Sequence, residues 1–199
     1  MRTLLLMILS FLLISCQSEQ TDALQDKTFQ TLKVFPQPLV IEPVDMINKK
    51  GEKTNIHALK GNYSVIFFGF TNCPDICPTT LLDMQKINKK LISAGHPSPQ
   101  FVFISVDPER DTAATLEQYI GYFNPDFKAL TAEPENLQKL AAQLGVAFRV
   151  EPHEAGIQVY NVDHTAAWFV LNEDANRIGI FTTPHEVDVI TADLIKLME

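Results

Sequence analysis

A three-layer α/β domain with a mixed central sheet is predicted by three features of this 199-residue chain. Residues 64–70, Ser-Val-Ile-Phe-Phe-Gly-Phe, form a short continuous apolar run of branched and aromatic side chains, the pattern of a strand buried on both faces. Residues 101–106 repeat that character. Between them, Leu81, Met84, Ile87 and Leu91 recur at near-helical spacing across 78–92, and Gly95 supplies a stop. Strand, helix and strand joined at that length require a right-handed parallel crossover.

The other elements follow in order. Residues 39–45 and 53–56, separated by the turn Asn48-Lys49-Lys50-Gly51, read as an N-terminal β-hairpin. Asp111 is placed to cap a helix over 112–122, and a further helix spans 134–144 and ends at Gly145. Residues 165–171 and 177–182 read as antiparallel strands around the turn 172–176. Thr183-Pro184-His185-Glu186 then opens the last helix as a capping box with proline in the first helical position. Hairpin, β, α, β, α, α, hairpin, α is the order of a thioredoxin-like fold.

Ahead of the domain, residues 4–14 are almost unbroken Leu, Ile, Met and Phe after Arg2. That run suits a signal-peptide core and falls short of the ~20 residues needed to span a bilayer as a helix. It closes on Leu13-Ile14-Ser15-Cys16, which resembles the bacterial lipobox, with Cys16 as the lipidated residue. Residues 17–33 are mostly polar and too poor in apolar surface to offset chain entropy, so they read as a flexible leash. The expected organisation is a signal peptide over 1–15, a tether over 16–34 and one domain over 35–199. Such a protein is exported and lipid-anchored, with its domain on the periplasmic or extracytoplasmic side. Net charge is −8 and no basic cluster exceeds a Lys-Lys pair, which argues against nucleic acid and anionic lipid head groups as partners.

Besides Cys16 the chain has two cysteines, Cys73 and Cys77, directly after the first apolar run. A dithiol can exchange disulfides or hold a soft metal ion. Pro74 and Pro78 disfavour helical backbone at the residues before them, which puts the helix start at Pro78 and both thiols in the turn feeding it. There the positive end of the helix dipole would lower the thiol pKa values, which serves nucleophile and ligand equally. Three residues separate the cysteines, against two in thioredoxin-type enzymes; the longer loop still closes a disulfide but also lets two sulfurs splay around one ion. A structural zinc site would need further ligands, usually a second cysteine pair. A purely structural disulfide across so short a loop would constrain little of the unfolded chain. Among five histidines, His57, His96 and His153 fall in loops and His185 in the capping box, facing solvent. His164 opens the strand leading to Trp168 and Phe169, and spacing alone does not decide whether it is a ligand.

Three separated segments together resemble the Sco (SenC) family of copper-handling, thioredoxin-like proteins. They are Phe68-Gly69-Phe70-Thr71-Asn72-Cys73-Pro74-Asp75-Ile76-Cys77-Pro78, then Ile104-Ser105-Val106-Asp107-Pro108-Glu109-Arg110-Asp111-Thr112, then Val162-Asp163-His164-Thr165. The resemblance runs from about Pro38 to the C-terminus and departs at Ala113, where proline is usual, and at Ala132, where glycine is usual. It implies that Cys73, Cys77 and His164 bind one copper ion per chain, as Cu(I) or Cu(II), with Asp163 orienting or tuning the histidine. It further implies a membrane-tethered copper metallochaperone, supplied by an unidentified donor, that delivers copper to the binuclear copper site of cytochrome c oxidase subunit II. The alternative is a thiol–disulfide oxidoreductase that reduces the cysteines of that acceptor; it needs Cys73 and Cys77 as a redox pair, and a thiol reductant, but not His164. A thiol peroxidase is disfavoured, because Phe70 and Pro74 stand where peroxiredoxins generally carry Thr or Ser, three residues before the reactive cysteine. Asp107, Glu109 and Asp111 read as a turn plus a helix cap, with a docking role left open.

Overall fold

The computed structural model describes residues 24, 27–154 and 156–199; the signal-peptide and Cys16 expectations lie outside them. In chain order the elements are β1 (Lys33–Leu39), β2 (Met46–Asn48), β3 (Lys53–Thr54), a 3₁₀ turn (Ile56–Leu59), β4 (Ser64–Gly69), α1 (Ile76–Ser93) and β5 (Gln100–Ser105). There follow α2 (Ala113–Phe123), β6 (Lys128–Thr131), α3 (Pro134–Leu144), β7 (Phe148–Val150), β8 (Val162–His164), β9 (Trp168–Leu171), β10 (Arg177–Phe181) and α4 (Val187–Met198). Eight strands make one mixed sheet in the order β1-β10-β9-β4-β5-β6-β2-β3, and β7 pairs with β8 in a separate ribbon.

The apolar run over 64–70 becomes β4, buried at every residue because β5 flanks it in parallel and β9 antiparallel. The crossover helix α1 buries Leu81, Met84, Ile87 and Leu91, the stripe its spacing predicts. α4 packs on α1, and α2 meets both α1 and β6. This is the thioredoxin-like arrangement, and it brings the C-terminal ends of β4 and β5 together as the floor of a site.

The N-terminal region departs from expectation. The hairpin is β2 with β3, pairing Met46 with Thr54 and Ile47 with Lys53 around Gly51, whose φ of 80° suits glycine. Residues 40–45, expected in its first strand, are not strand. The strand lies earlier, as β1 against β10, with a register shift between Val34 and Leu39. Pro36 and Pro38 cannot donate to a ladder, and the edge position of β1 tolerates them.

The tether is also shorter than its composition suggests. Asp193 of α4 accepts hydrogen bonds from the backbone N–H groups of Gln30, Thr31 and Leu32 at 2.7–2.9 Å and from the Thr31 hydroxyl at 2.9 Å. Burial pushes the Asp193 carboxyl up, but these donors together hold it below the ordinary carboxylate range. Lys196 Nζ donates to the Thr28 carbonyl at 2.6 Å, and Lys27 Nζ returns a bond to the Lys196 carbonyl at 2.8 Å. Residues 27–32 are thus fastened to the last helix, and Lys33 and Val34 join the sheet through β10.

Two helix starts differ as well. α2 is capped by Thr112, whose hydroxyl accepts from the Thr115 N–H, while Asp111 turns inward. α4 begins at Val187 with no side-chain cap bond, and the Thr183–Pro184 peptide before it is cis. His185 is half-buried and stacks on Trp168 at 4.1 Å rather than facing solvent.

Candidate metal centre

β4 delivers the chain to Phe70, and a tight turn closed by Cys73 N–H to the Phe70 carbonyl (3.3 Å) leads into α1. The helix starts at Ile76, two residues before the expected position, so Cys77 lies in its first turn. Pro78 is still tolerated, because the N–H groups of a first helical turn have no intrahelical acceptor and a missing one costs nothing. That geometry outweighs the bias against helical backbone before proline, and it carries Cys77 inward while Cys73 stays half-exposed.

Gly69 makes room for the Cys77 sulfur. A Cβ at Gly69 would lie 2.7 Å from Cys77 Sγ and 2.8 Å from Phe103 Cε2, inside van der Waals contact of both. Gly69→Ala should therefore displace the thiol and destabilise the domain by about 1–3 kcal/mol through overpacking. A lowered denaturant midpoint and faster reaction of Cys77 with a chromogenic disulfide reagent would register the change. An unaltered midpoint together with an unaltered reaction rate would refute it.

His164 ends β8, opposite Phe148 of β7. Its ring stands edge-on to Phe67 and Phe70, with centroids at 5.6 and 6.0 Å. Nδ1 lies 3.2 Å from the Thr165 carbonyl. A carbonyl only accepts, so this contact assigns the ring proton to Nδ1 and leaves the Nε2 lone pair free. Nε2 points at Cys77 Sγ, 3.4 Å away. Burial holds the imidazole pKa below its ordinary value, with the Thr165 carbonyl and the Asp163 charge opposing, so the ring is neutral at neutral pH and able to ligate.

The ligand atoms of Cys73, Cys77 and His164 lie within 4.8 Å of one another, and among the described residues they are the one such cluster of three His, Cys, Asp or Glu side chains. Both thiols are free. The expectation of lowered thiol pKa fails at Cys77: burial drives its pKa far above the usual thiol range, outweighing the lowering by its backbone hydrogen bond at Phe70, and the adjacent Cys73 raises it further. An incoming cation must displace that proton. Two thiolates suit Cu(I), the imidazole extends the set to Cu(II), and three protein donors leave a coordination position open. An open cleft of about 500 Å³ is lined by Cys73 and His164 with Phe70, Ile76, Arg149 and Glu151, so an ion here is reached from the Cys73 and His164 side while Cys77 lies beneath.

Asp163 does not orient the ring through a hydrogen bond; it is exposed, and it acts on His164 through its charge while Thr165 holds Nδ1. The acidic run has no docking role at Asp107 or Asp111, both of which are buried. Asp111 accepts from Thr71 N–H at 2.9 Å and from the hydroxyls of Thr71 and Ser105 at 2.5 Å, pinning the cysteine turn to the end of β5. His57 Nε2 contacts the Ile41 carbonyl at 3.0 Å, and His153 stacks on Tyr160. The roles of Gly69, Asp111 and the Thr165 carbonyl were not legible as site features. The glycine between two phenylalanines at the end of a buried strand was the one signal available for them.

A thioredoxin-like domain with a dithiol and an imidazole gathered at the strand-to-helix turn is the class that fold and site define. The SCO1/SenC family model matches residues 35–199, and the chain belongs to that family. A candidate copper-binding protein of Stutzerimonas stutzeri is 30% identical over 198 residues, covering 100% of this chain and 95% of its own. The mitochondrial Protein SCO1 homolog 1 of Arabidopsis thaliana is 31% identical over 154 residues, 77% of this chain and 46% of that longer protein. The crystal structure of Arabidopsis thaliana ScoI with copper bound superposes with a TM-score of 0.73 at 30% identity, covering 79% of this chain and 97% of that one.

Proposed function

We propose that this protein is a membrane-tethered copper metallochaperone that holds one copper ion on Cys73, Cys77 and His164 and delivers it to the binuclear copper site of cytochrome c oxidase subunit II. The convergence of two free thiols and a neutral imidazole within 4.8 Å carries this reading. Similarity to a copper-bound ScoI supports copper as the cargo. The cleft beside Cys73 and His164 leaves the ion open to a partner's ligands, as transfer requires. Cells lacking the protein should make subunit II without its binuclear copper and recover when copper is supplied in excess. A normal copper content of that subunit in such cells would overturn the proposal.

A second reading is reduction of an acceptor disulfide, with the acceptor's S–S bond broken while Cys73 and Cys77 become joined. Their proximity and free state favour it. The half-exposed Cys73 would attack and Cys77 would resolve the mixed disulfide. The high pKa of buried Cys77 opposes it, because few of its thiols are ionised at neutral pH.

The anchor is part of the proposal. Lipidation at Cys16 supplies the two-chain attachment that one acyl chain does not. Cys16→Ala should leave the protein in the soluble fraction or as uncleaved precursor on cell fractionation. Identical partition and migration of variant and parent would remove the lipid anchor from the model of function.

A further inference from the structure

His164 sits on a ribbon that is not part of the main sheet, since β7 and β8 pair only with each other. Something else must fix the imidazole over Cys77, because a displacement of one or two ångströms would remove it from the ion. The segment 156–161 leading into β8 provides a handle, and Arg110 grips it.

Arg110 lies in the turn between β5 and α2, with its side chain 4% exposed. Nε donates to Asp107 Oδ2, and Nη1 donates to the carbonyls of Gln158 and Tyr160, both at 3.1 Å. The guanidinium lies 3.6 Å over the Tyr160 ring. His153 stacks on that ring at 3.7 Å and 12°, and two groups that close cannot share a face, so Tyr160 is sandwiched. The Tyr160 hydroxyl donates to Asp107 Oδ1 at 2.7 Å, which makes Asp107 a two-sided bracket for Arg110 and Tyr160. The same guanidinium lies 5.5 Å from the Phe70 ring centroid, and Phe70 is one of the two rings that stand against His164. One cation thus touches the β5–α2 turn, the entry to β8 and the end of the β4 segment that leads to the cysteines.

We propose that Arg110 is the positioning residue for His164, clamping segment 156–161 to the β5–α2 turn so that the imidazole, rather than solvent, completes the dithiol site. Lysine cannot replace it, because the planar fork that reaches two carbonyls and one carboxylate while stacking on an aromatic ring has no counterpart in an ammonium group. The inference rests on His164 being a copper ligand, and the test separates the two ideas.

The test uses detergent-solubilised full chain titrated with cupric or cuprous ion alone. Arg110→Lys should weaken Cu(II) binding about tenfold or more, the scale on which partners behind a ligand act. The imidazole nitrogen coupling in the Cu(II) electron paramagnetic resonance spectrum should fade, while Cu(I) binding by the thiolates changes little. In a His164→Ala background Arg110→Lys should add no further loss, since the two act as one unit. Fluorescence of Trp168, the single and fully buried tryptophan, reports whether the sheet is intact. Should Arg110→Lys fail to fold, Tyr160→Leu removes the stacking platform and carries the same expectations. Unchanged nitrogen coupling in the folded variant, or an equal additional loss in the His164→Ala background, overturns the proposal. If His164→Ala itself leaves the Cu(II) spectrum unaltered, the ligand assignment falls and the clamp with it. If His164→Ala alters the spectrum and Arg110→Lys does not, the clamp alone falls.

Discussion

Replacing either Cys73 or Cys77 should abolish tight copper binding, whereas the parent should take up about one copper per chain and show sulfur-to-copper charge-transfer absorption on addition of Cu(II). One thiolate and one imidazole are a poor site for Cu(I). Losing a thiolate should therefore cost more than the ~10–100-fold typical of a residue behind a ligand. The two variants should differ in stability. Cys77 is fully buried against the glycine of β4, so its substitution also disturbs packing, while Cys73 borders the cleft and its loss leaves the core intact. Because burial holds Cys77 protonated at neutral pH, copper displaces that proton, and affinity should climb with pH by up to about tenfold per unit for each proton released. Joining the pair as a disulfide should block uptake. Tight, stoichiometric copper in a Cys73→Ala, Cys77→Ala double variant would place the site elsewhere.

What the sequence disclosed of this site, and what it hid, follows from the range of each interaction. The strands at 64–70 and 101–106 were legible because burial on both faces leaves them almost continuously apolar, with Ser64 and Ser105 at their ends, and α1 because its stripe faces one core. β1 was misplaced because its partner β10 lies some 140 residues away in sequence. Asp111 read as a helix cap, and Asp193 gave no signal at all, for the same reason. A carboxylate looks alike in sequence whether water or a neighbouring turn satisfies it, and here distant N–H and hydroxyl groups do. Spacing showed the cysteine pair but not its burial, so helix-end electrostatics were favoured over desolvation, which wins at Cys77. His164 is 87 positions from Cys77, beyond any local pattern. The family motif, not periodicity, pointed to it.

His164→Ala should separate copper delivery from disulfide reduction. The imidazole presents Nε2 to the dithiol, 3.4 Å from Cys77 Sγ, with Nδ1 held by the Thr165 carbonyl. Removing it takes one of the three proposed ligands, so Cu(II) affinity should fall steeply and Cu(I) affinity less, because two thiolates already suit the softer ion. The ring also fills space against Phe67 and Phe70, but it is only partly buried on a short ribbon outside the main sheet, so the domain should fold and keep its cooperative unfolding. Under the metallochaperone reading, cells carrying this variant should fail to assemble cytochrome c oxidase unless copper is supplied in excess. Under the oxidoreductase reading, the dithiol keeps its reduction potential to within a small shift, since exchange depends on the thiolates and access to them, and assembly proceeds. Loss of the partly buried imidazole should increase access to Cys77 and speed exchange. The two readings therefore predict opposite outcomes in the same strain. A folded His164→Ala protein with unchanged copper binding and full oxidase assembly would defeat the metallochaperone reading and leave Cys73 and Cys77 as a redox pair.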